Sequence, residues 1–220
     1  MKSDLQLHKL EKIQDVLSKK VQLNLPSQFT CNIVAGFDIS YSKKTNLGIA
    51  ATVCVNMIDK KIIETQYLIA KPRIPYIPTF LGFREIPFFY KLMKQLKSKP
   101  DLVMIDGFGI LHPRGFGSAS HFGVLTKIPT IGIGKTQFFG TILTKPQFPG
   151  EWTPITVNNR TMGALLKPHI GKSIYVSPGN LIDLKSAVDI TYSMIDPDKR
   201  LPKPIHCADK YSRKILSELE

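Results

Sequence analysis

The sequence predicts a mixed α/β fold: one sheet that begins as a three-strand antiparallel meander, continues as alternating helices and strands, and is flanked by helices. Three observations carry this reading. The runs Ile33–Ser40 (IVAGFDIS), Gly48–Met57 and Ile62–Ile69 follow one another across short Lys/Asn/Gly and Asp-Lys-Lys turns, and turns that short join antiparallel neighbours. The wholly apolar run Leu102–Ile105, and Thr130–Ile133 after it, have the length and β-forming content of buried parallel strands. Helical stretches separate these later strands, which places helices on the faces of the sheet.

The remaining elements follow in chain order. From Leu5 to about Lys20, Leu5, Leu10, Ile13, Val16 and Leu17 recur near helical spacing among polar residues, an amphipathic helix that ends before Pro26. After the meander, Lys71–Pro78 (KPRIPYIP) holds three prolines and reads as a stiff, extended loop. A helix is expected from about Thr79 to Leu96, with Pro87 in its first turn or just after a short preliminary turn. Ser118–Leu125 reads as a short helix, residues 141–162 as irregular, and Leu165–Leu166 and Ile174–Val176 as short strands. Leu181–Ile195 and Ala208–Leu219 read as helices separated by stop signals at Pro197, Pro202 and Pro204. With 220 residues and no repeat or linker, a single domain spanning 1–220 is expected, its terminal helices packed on the sheet.

Composition narrows the function classes. Apolar residues make up 43% and charged residues 21%, values that exclude a disordered chain. No apolar run approaches a membrane span, and the charged start (MKSDLQLHKLEK) is wrong for a signal-peptide core. Cys31, Cys54 and Cys207 are widely spaced and odd in number, with no CxxC, so neither a disulfide framework nor a zinc ribbon is expected. The expected setting is intracellular, cytoplasmic or nuclear, and the expected state is a monomer with no membrane contact.

Thirty Lys and Arg against 17 Asp and Glu give a net charge of +13, which points to a polyanionic partner. Residues 31–190 carry 19 basic and 9 acidic groups, or +10 of that excess, so the charge belongs to the body of the chain and not to a tail. Within 71–135 there are 10 basic groups and only three acids, Glu85, Asp101 and Asp106. A metal-dependent phosphodiesterase needs such a pattern: lysines and arginines for the backbone, a few carboxylates for the cation.

Asp38 lies near the end of the first strand and Asp106 ends the fourth. If those strands are parallel neighbours, both acids emerge at one sheet edge, where open α/β sheets bind ligands. Adjacent carboxylates repel, and a hard divalent cation such as Mg²⁺ or Mn²⁺ removes the conflict. Glu85, from the helix after the proline loop, is a third candidate. Asp106-Gly107 is equally a common turn dipeptide, so spacing alone leaves its role open. The run IGIGKT (131–136) imitates the end of a P-loop, but Pro129 stands where GxxxxGK[ST] needs glycine, which excludes that motif. Lys135 remains either a phosphate contact or a surface lysine. The stretch DGFGILHPRGFG (106–117) has four glycines, a His and an Arg in twelve residues, a composition that lets the backbone approach a flat base.

These motifs together resemble the endonuclease V family of inosine-specific nucleases: GFDISY (36–41), PYIPTFLGFRE (75–85), PDLVMIDGFGILHPRGFGSASHFGVL (100–125), PTIGIGK (129–135) and RLPKPIHCADKYSR (200–213). The resemblance covers most of residues 33–213 and implies an RNase H-like core. It implies that Asp38 and Asp106 are the core metal ligands, with Glu85 and Asp209 completing the acidic centre, Mg²⁺ or Mn²⁺ the cofactor, and Lys135 at the scissile phosphate. Pro75, Tyr76, Ile77 and Pro78 match a wedge that fills the space of a displaced base. Leu81, Gly107, Gly109, His112 and Gly117 match the base pocket and its surroundings. The implied activity is hydrolysis one linkage 3′ of an inosine nucleotide in DNA or RNA, leaving 3′-hydroxyl and 5′-phosphate ends. Thr79 and Phe108 depart from the family pattern, where glycine and a polar residue are usual. The alternatives are a non-catalytic nucleic-acid-binding protein and a structure-selective RNase H-type nuclease on the same fold.

Overall fold

The computed structural model describes residues 2–220. Its elements run α1 (Lys2–Ser18), β1 (Ile33–Tyr41), β2 (Gly48–Asn56), β3 (Ile62–Ala70), α2 (Leu81–Gln95), β4 (Leu102–Asp106), α3 (Ser118–Thr126), β5 (Thr130–Gly134), β6 (Trp152–Val157), β7 (Arg160–Leu166), β8 (Ile174–Asn180), α4 (Leu184–Ser193) and α5 (Lys203–Leu219). All the strands join one eight-stranded sheet in the order β3-β2-β1-β4-β5-β8-β7-β6. β1, β2 and β3 form the antiparallel meander, while β1 pairs in parallel with β4 and β4 with β5. This is the meander-then-alternation sheet expected from the chain order, and the RNase H-like core that the resemblance implies.

Strand alternation divides the core in two. On one face Val34, Met104, Ile131 and Val176 pack with Val188 of α4 and Ile205 of α5. On the other, Phe37, Val103 and Ile105 pack with Phe89 of α2 and Phe122 of α3, and the Phe37 and Phe89 rings meet edge to face at 5.4 Å. Gly36 brings α5 very close to β1, since a Cβ there would lie 2.2 Å from the Pro204 carbonyl carbon.

Several expectations are corrected. Residues 141–162 are not all irregular: β6 and β7 form a hairpin whose turn, Asn158-Asn159, has positive φ at both residues (48° and 60°). That is the backbone of a tight hairpin turn, and Pro154 is tolerated because β6 is the sheet's last strand. α5 starts at Lys203 and not at Ala208, because Pro204 lies in its first turn and begins the helix where a stop was expected. α2 starts at Leu81, with Pro87 inside it, seven residues in; the exposed ring faces solvent, and only the Phe83 carbonyl lacks its usual helical donor. In α1 the face toward the body is set by Leu7, Leu10, Gln14 and Leu17, and Leu5, Ile13 and Val16 of the expected stripe are exposed. No helix among the described residues is long and apolar enough to cross a membrane.

Candidate active site

Parallel pairing of β1 with β4 runs in register from Val34↔Leu102 to Phe37↔Ile105. One step beyond that register stand Asp38 and Asp106, both on the α5 side of the sheet. α5 crosses that side and adds Asp209. Carboxylate oxygens of Asp38, Asp106 and Asp209 lie within 4.8 Å of one another. Burial, followed by the neighbouring Asp106 carboxylate, pushes the Asp38 carboxyl up to about 8. Ser212, one turn beyond Asp209 on α5, donates from Oγ to Asp38 Oδ2 at 2.9 Å and accepts from Ser40 Oγ at 2.8 Å. Sequence reasoning missed Ser212; the only signal was its place one helical turn after an acid.

Glu85 reaches the same edge from α2, on the opposite face of the sheet, which is why it stands outside the three-carboxylate group. Its carboxyl is buried and its Oε2 has no hydrogen-bond partner. Burial first, then Asp106 and Asp38, hold it well above the ordinary carboxylate range. The cation among these acids is Lys135, at the end of β5, whose Nζ lies 2.5 Å from Asp106 Oδ2 and 2.6 Å from Asp209 Oδ1. Arg213 approaches Asp209 Oδ1 at 3.1 Å. Three mutually close carboxylates and an orphaned fourth are a hard-oxygen donor set, so these residues fit a divalent cation.

Asp106 also opens onto a cavity of about 310 Å³. The peptide after it turns at Gly107, whose φ of +154° is hard for any residue with a Cβ. Leu81, Gly107, His112 and Gly117 line this cavity together with Tyr76 of the proline loop, Lys135, and Phe108 stacked on Phe138 with centroids 5.5 Å apart. Gly109 does not line it. Its missing side chain instead lets the loop lie against β8, where a Cβ would fall 1.9 Å from the Pro178 carbonyl oxygen. Pro75, Ile77 and Pro78 do not line it either; of the four residues expected to form a wedge, only Tyr76, 66% exposed, stands at its wall. Phe138, Thr136 and Gln137 were not singled out from sequence; they follow Lys135 in an ordinary-looking loop.

His112 is fixed as a neutral tautomer. Its Nε2 donates to the Thr79 carbonyl at 3.0 Å, and its Nδ1 accepts from the Arg114 backbone N–H at 3.2 Å. Burial pushes its pKa down to about 4, so it carries no charge near neutral pH.

Comparison with known proteins agrees with this geometry. The family model of endonuclease V matches residues 15–210. The chain belongs to the endonuclease V family. Endonuclease V of Desulfurococcus amylolyticus is 36% identical over 213 residues, covering 94% of each chain. The crystal structure of the Bacillus subtilis endonuclease V superposes with a TM-score of 0.89 at 30% identity, covering 94% of this chain and 91% of that one. A Ciona intestinalis endonuclease V, solved in complex with a 23mer DNA containing an inosine followed by a ribo-adenosine, gives a TM-score of 0.88 at 28% identity over 99% of both chains. This endonuclease V is therefore a nuclease, and its acidic cluster and adjoining cavity are the features to be explained.

Proposed function

We propose that this endonuclease V hydrolyses the phosphodiester one linkage 3′ of an inosine nucleotide, in DNA or RNA, with a divalent cation, leaving 3′-hydroxyl and 5′-phosphate ends. One observation carries the reading: the three-carboxylate cluster and the aromatic-lined cavity share Asp106 and Lys135. Chemistry on a phosphate and reading of an unstacked base are thus set side by side. The inosine-containing DNA in the Ciona complex supports the choice of base.

Asp38, Asp106 and Asp209 would hold the cation, with Glu85 beside them. Mg²⁺ or Mn²⁺ bound there polarises the phosphate and makes water a better nucleophile. Ser212 aims the Asp38 carboxylate through its hydrogen bond. Lys135 offsets charge that develops on the phosphate oxygens, an electrostatic role suited to a half-buried ammonium. The displaced base enters the cavity beside Gly107 and Gly117, where main-chain groups are accessible to its edge. Tyr76 occupies the vacated stack, since an aromatic ring replaces a base without regard to sequence. Neutral His112 offers no ionic contact to the strand and serves the cavity wall.

The test uses Asp38→Ala and Asp106→Ala on a strand with one inosine. Cleavage should vanish while binding largely persists, and full activity in either variant would refute the assignment. EDTA should abolish cleavage and added Mg²⁺ restore it. Equal cutting of inosine-containing and inosine-free strands would favour a structure-selective nuclease instead. Matched single-stranded DNA and RNA substrates then rank the two nucleic acids.

A further inference from the structure

The segment Pro75–Pro78 beside the cavity is held on both sides by side chains from elsewhere in the chain. Just before it, Arg84 Nη1 donates to the Ile74 carbonyl at 2.8 Å. Just after it stands Thr79, with φ of +70°, a conformation that a β-branched residue rarely adopts unaided. Its carbonyl accepts from Gln14 Nε2 at 2.8 Å and from His112 Nε2 at 3.0 Å. Its hydroxyl accepts from Arg114 Nη2.

Gln14 and Arg114 are themselves locked together. Arg114 Nε donates to Gln14 Oε1, and the second hydrogen on Gln14 Nε2 goes to the Phe116 carbonyl at 3.2 Å. Every polar site of the Gln14 amide except one oxygen lone pair is thereby used, which fixes the amide's orientation. The Arg114 guanidinium also lies over the Phe80 ring at 4.5 Å, and its Nη1 is 3.6 Å from Glu11. Gln14 is 2% exposed, the one buried side chain described on α1. Among the described side chains of α1, whose leucines are at most half-buried, the one buried group is thus polar, and that group holds the end of the loop carrying Tyr76.

Tyr76 itself is exposed and needs the loop to stay in place against a stack of bases. Resting on the base-displacing function proposed above, we propose that Arg114 and Gln14 are positioning residues for the wedge. Through Thr79 they keep Tyr76 at the cavity in the free protein, so that inosine recognition depends on α1. Loosening the clamp lowers the fraction of molecules with the wedge in place, and apparent affinity falls by that fraction while the chemistry at the carboxylates is untouched.

The full chain is assayed on a single-stranded oligonucleotide with one inosine and on its inosine-free twin. Arg114→Lys keeps the charge but lacks the planar fork that serves Gln14 and Thr79 at once. Thr79→Val removes the hydroxyl and Thr79→Ser keeps it. We expect KM to rise about tenfold in Arg114→Lys and Thr79→Val, with kcat changed less than about threefold and Thr79→Ser close to wild type. Because Arg114 acts through the wedge, adding Arg114→Lys to Tyr76→Ala should cost little more than Tyr76→Ala alone. Unchanged KM in Arg114→Lys, or fully additive losses in the double variant, overturns the inference; if Arg114→Lys melts early, the Thr79→Val and Thr79→Ser pair decides. Selective cleavage by wild type combined with an unmoved variant KM overturns the clamp alone. Equal wild-type cutting of both strands overturns the base-displacing function and the clamp with it.

Discussion

Gly36→Ala should separate the acidic cluster without touching an acid. A Cβ at residue 36 falls 2.2 Å from the Pro204 carbonyl carbon, 2.3 Å from its oxygen and 2.7 Å from the Ile205 nitrogen. All three are backbone atoms, so no side chain can swing aside. Ordinary contact begins near 3.4 Å, so α5 and β1 must part by roughly 1 Å at this point. Overpacking of this kind costs about 1–3 kcal/mol. The same displacement stretches the 2.9 Å Ser212–Asp38 hydrogen bond, and an unmade buried bond to a polar group adds about 1–3 kcal/mol. Together these give about 2–6 kcal/mol, a fall in melting temperature on the order of 10 °C for a domain of this size.

Thermal unfolding measures the loss, and titration with Mn²⁺ reads the cluster, because Asp209 rides on the displaced helix. The control is Gly115→Ala, where the nearest atom to an added Cβ is the Met162 methyl at 4.0 Å. It pays only for a residue at φ +61°, about 1–2 kcal/mol. If Gly36→Ala melts within 2 °C of wild type and binds Mn²⁺ normally, the close seating of α5 on β1 does not hold the cluster together.

Other perturbations have equally definite outcomes. The folded Asp38 carboxyl titrates at about 8 against an ordinary 3.8, so between those values the folded state binds the extra proton and metal-free stability falls as pH rises. Urea unfolding in EDTA should show less stability at pH 8 than at pH 5, and a rising trend would contradict the burial argument. Tyr76→Ala should weaken binding to an inosine strand by about 1–3 kcal/mol, or about fivefold to a hundredfold, if the ring stacks; an unchanged dissociation constant removes it from the wedge. Binding should also weaken steeply between 50 and 200 mM salt while preference for inosine over adenosine holds, because phosphate contacts carry no base information. Loss of preference in step with affinity would show that the basic groups take part in reading the base.

The meander was legible because it rests on local rules: short turns, apolar runs and the two-residue period of a strand. The shared edge of Asp38 and Asp106 was legible only on the condition that the first and fourth strands pair in parallel, as they do. What was not legible depended on assembly. Asp209 is one of several charged residues in the last helix; the family resemblance named it, but spacing could not, and the crossing of α5 over β1 at Gly36 is what brings it to the other two acids. Glu85 was expected with the other acids, and its separation from the other three follows from α2 packing on the far face of the sheet. The β6–β7 hairpin was hidden because Asn158 and Asn159 sit in a segment whose Pro and Thr content suggested irregular chain. In α1, apolar spacing placed Leu10 and Leu17 on the body-facing side but added the exposed Leu5, Ile13 and Val16, and it missed Gln14, a polar anchor for which hydrophobic periodicity carries no signal.

On the proposed reading, the topology would keep base reading and strand cutting a fixed step apart. Asp106 closes β4 as a cluster acid, and the next peptide, at Gly107, already belongs to the cavity wall. Lys135 does the same just past the end of β5, reaching the acids with its ammonium while also lining the cavity. β4 and β5 are hydrogen-bonded partners in the middle of the sheet, the part least able to deform. A base held beside Gly107 therefore places its strand at a set distance from Asp106, with no hinge between them. The adjustable parts lie outside that frame: the proline loop, tied down by Arg84 and Thr79, and the helix α1 that holds it through Gln14. Changes in wedge-dependent affinity should accordingly map to residues 11–17, 74–81 and 112–116, and changes in the position of the cut should not.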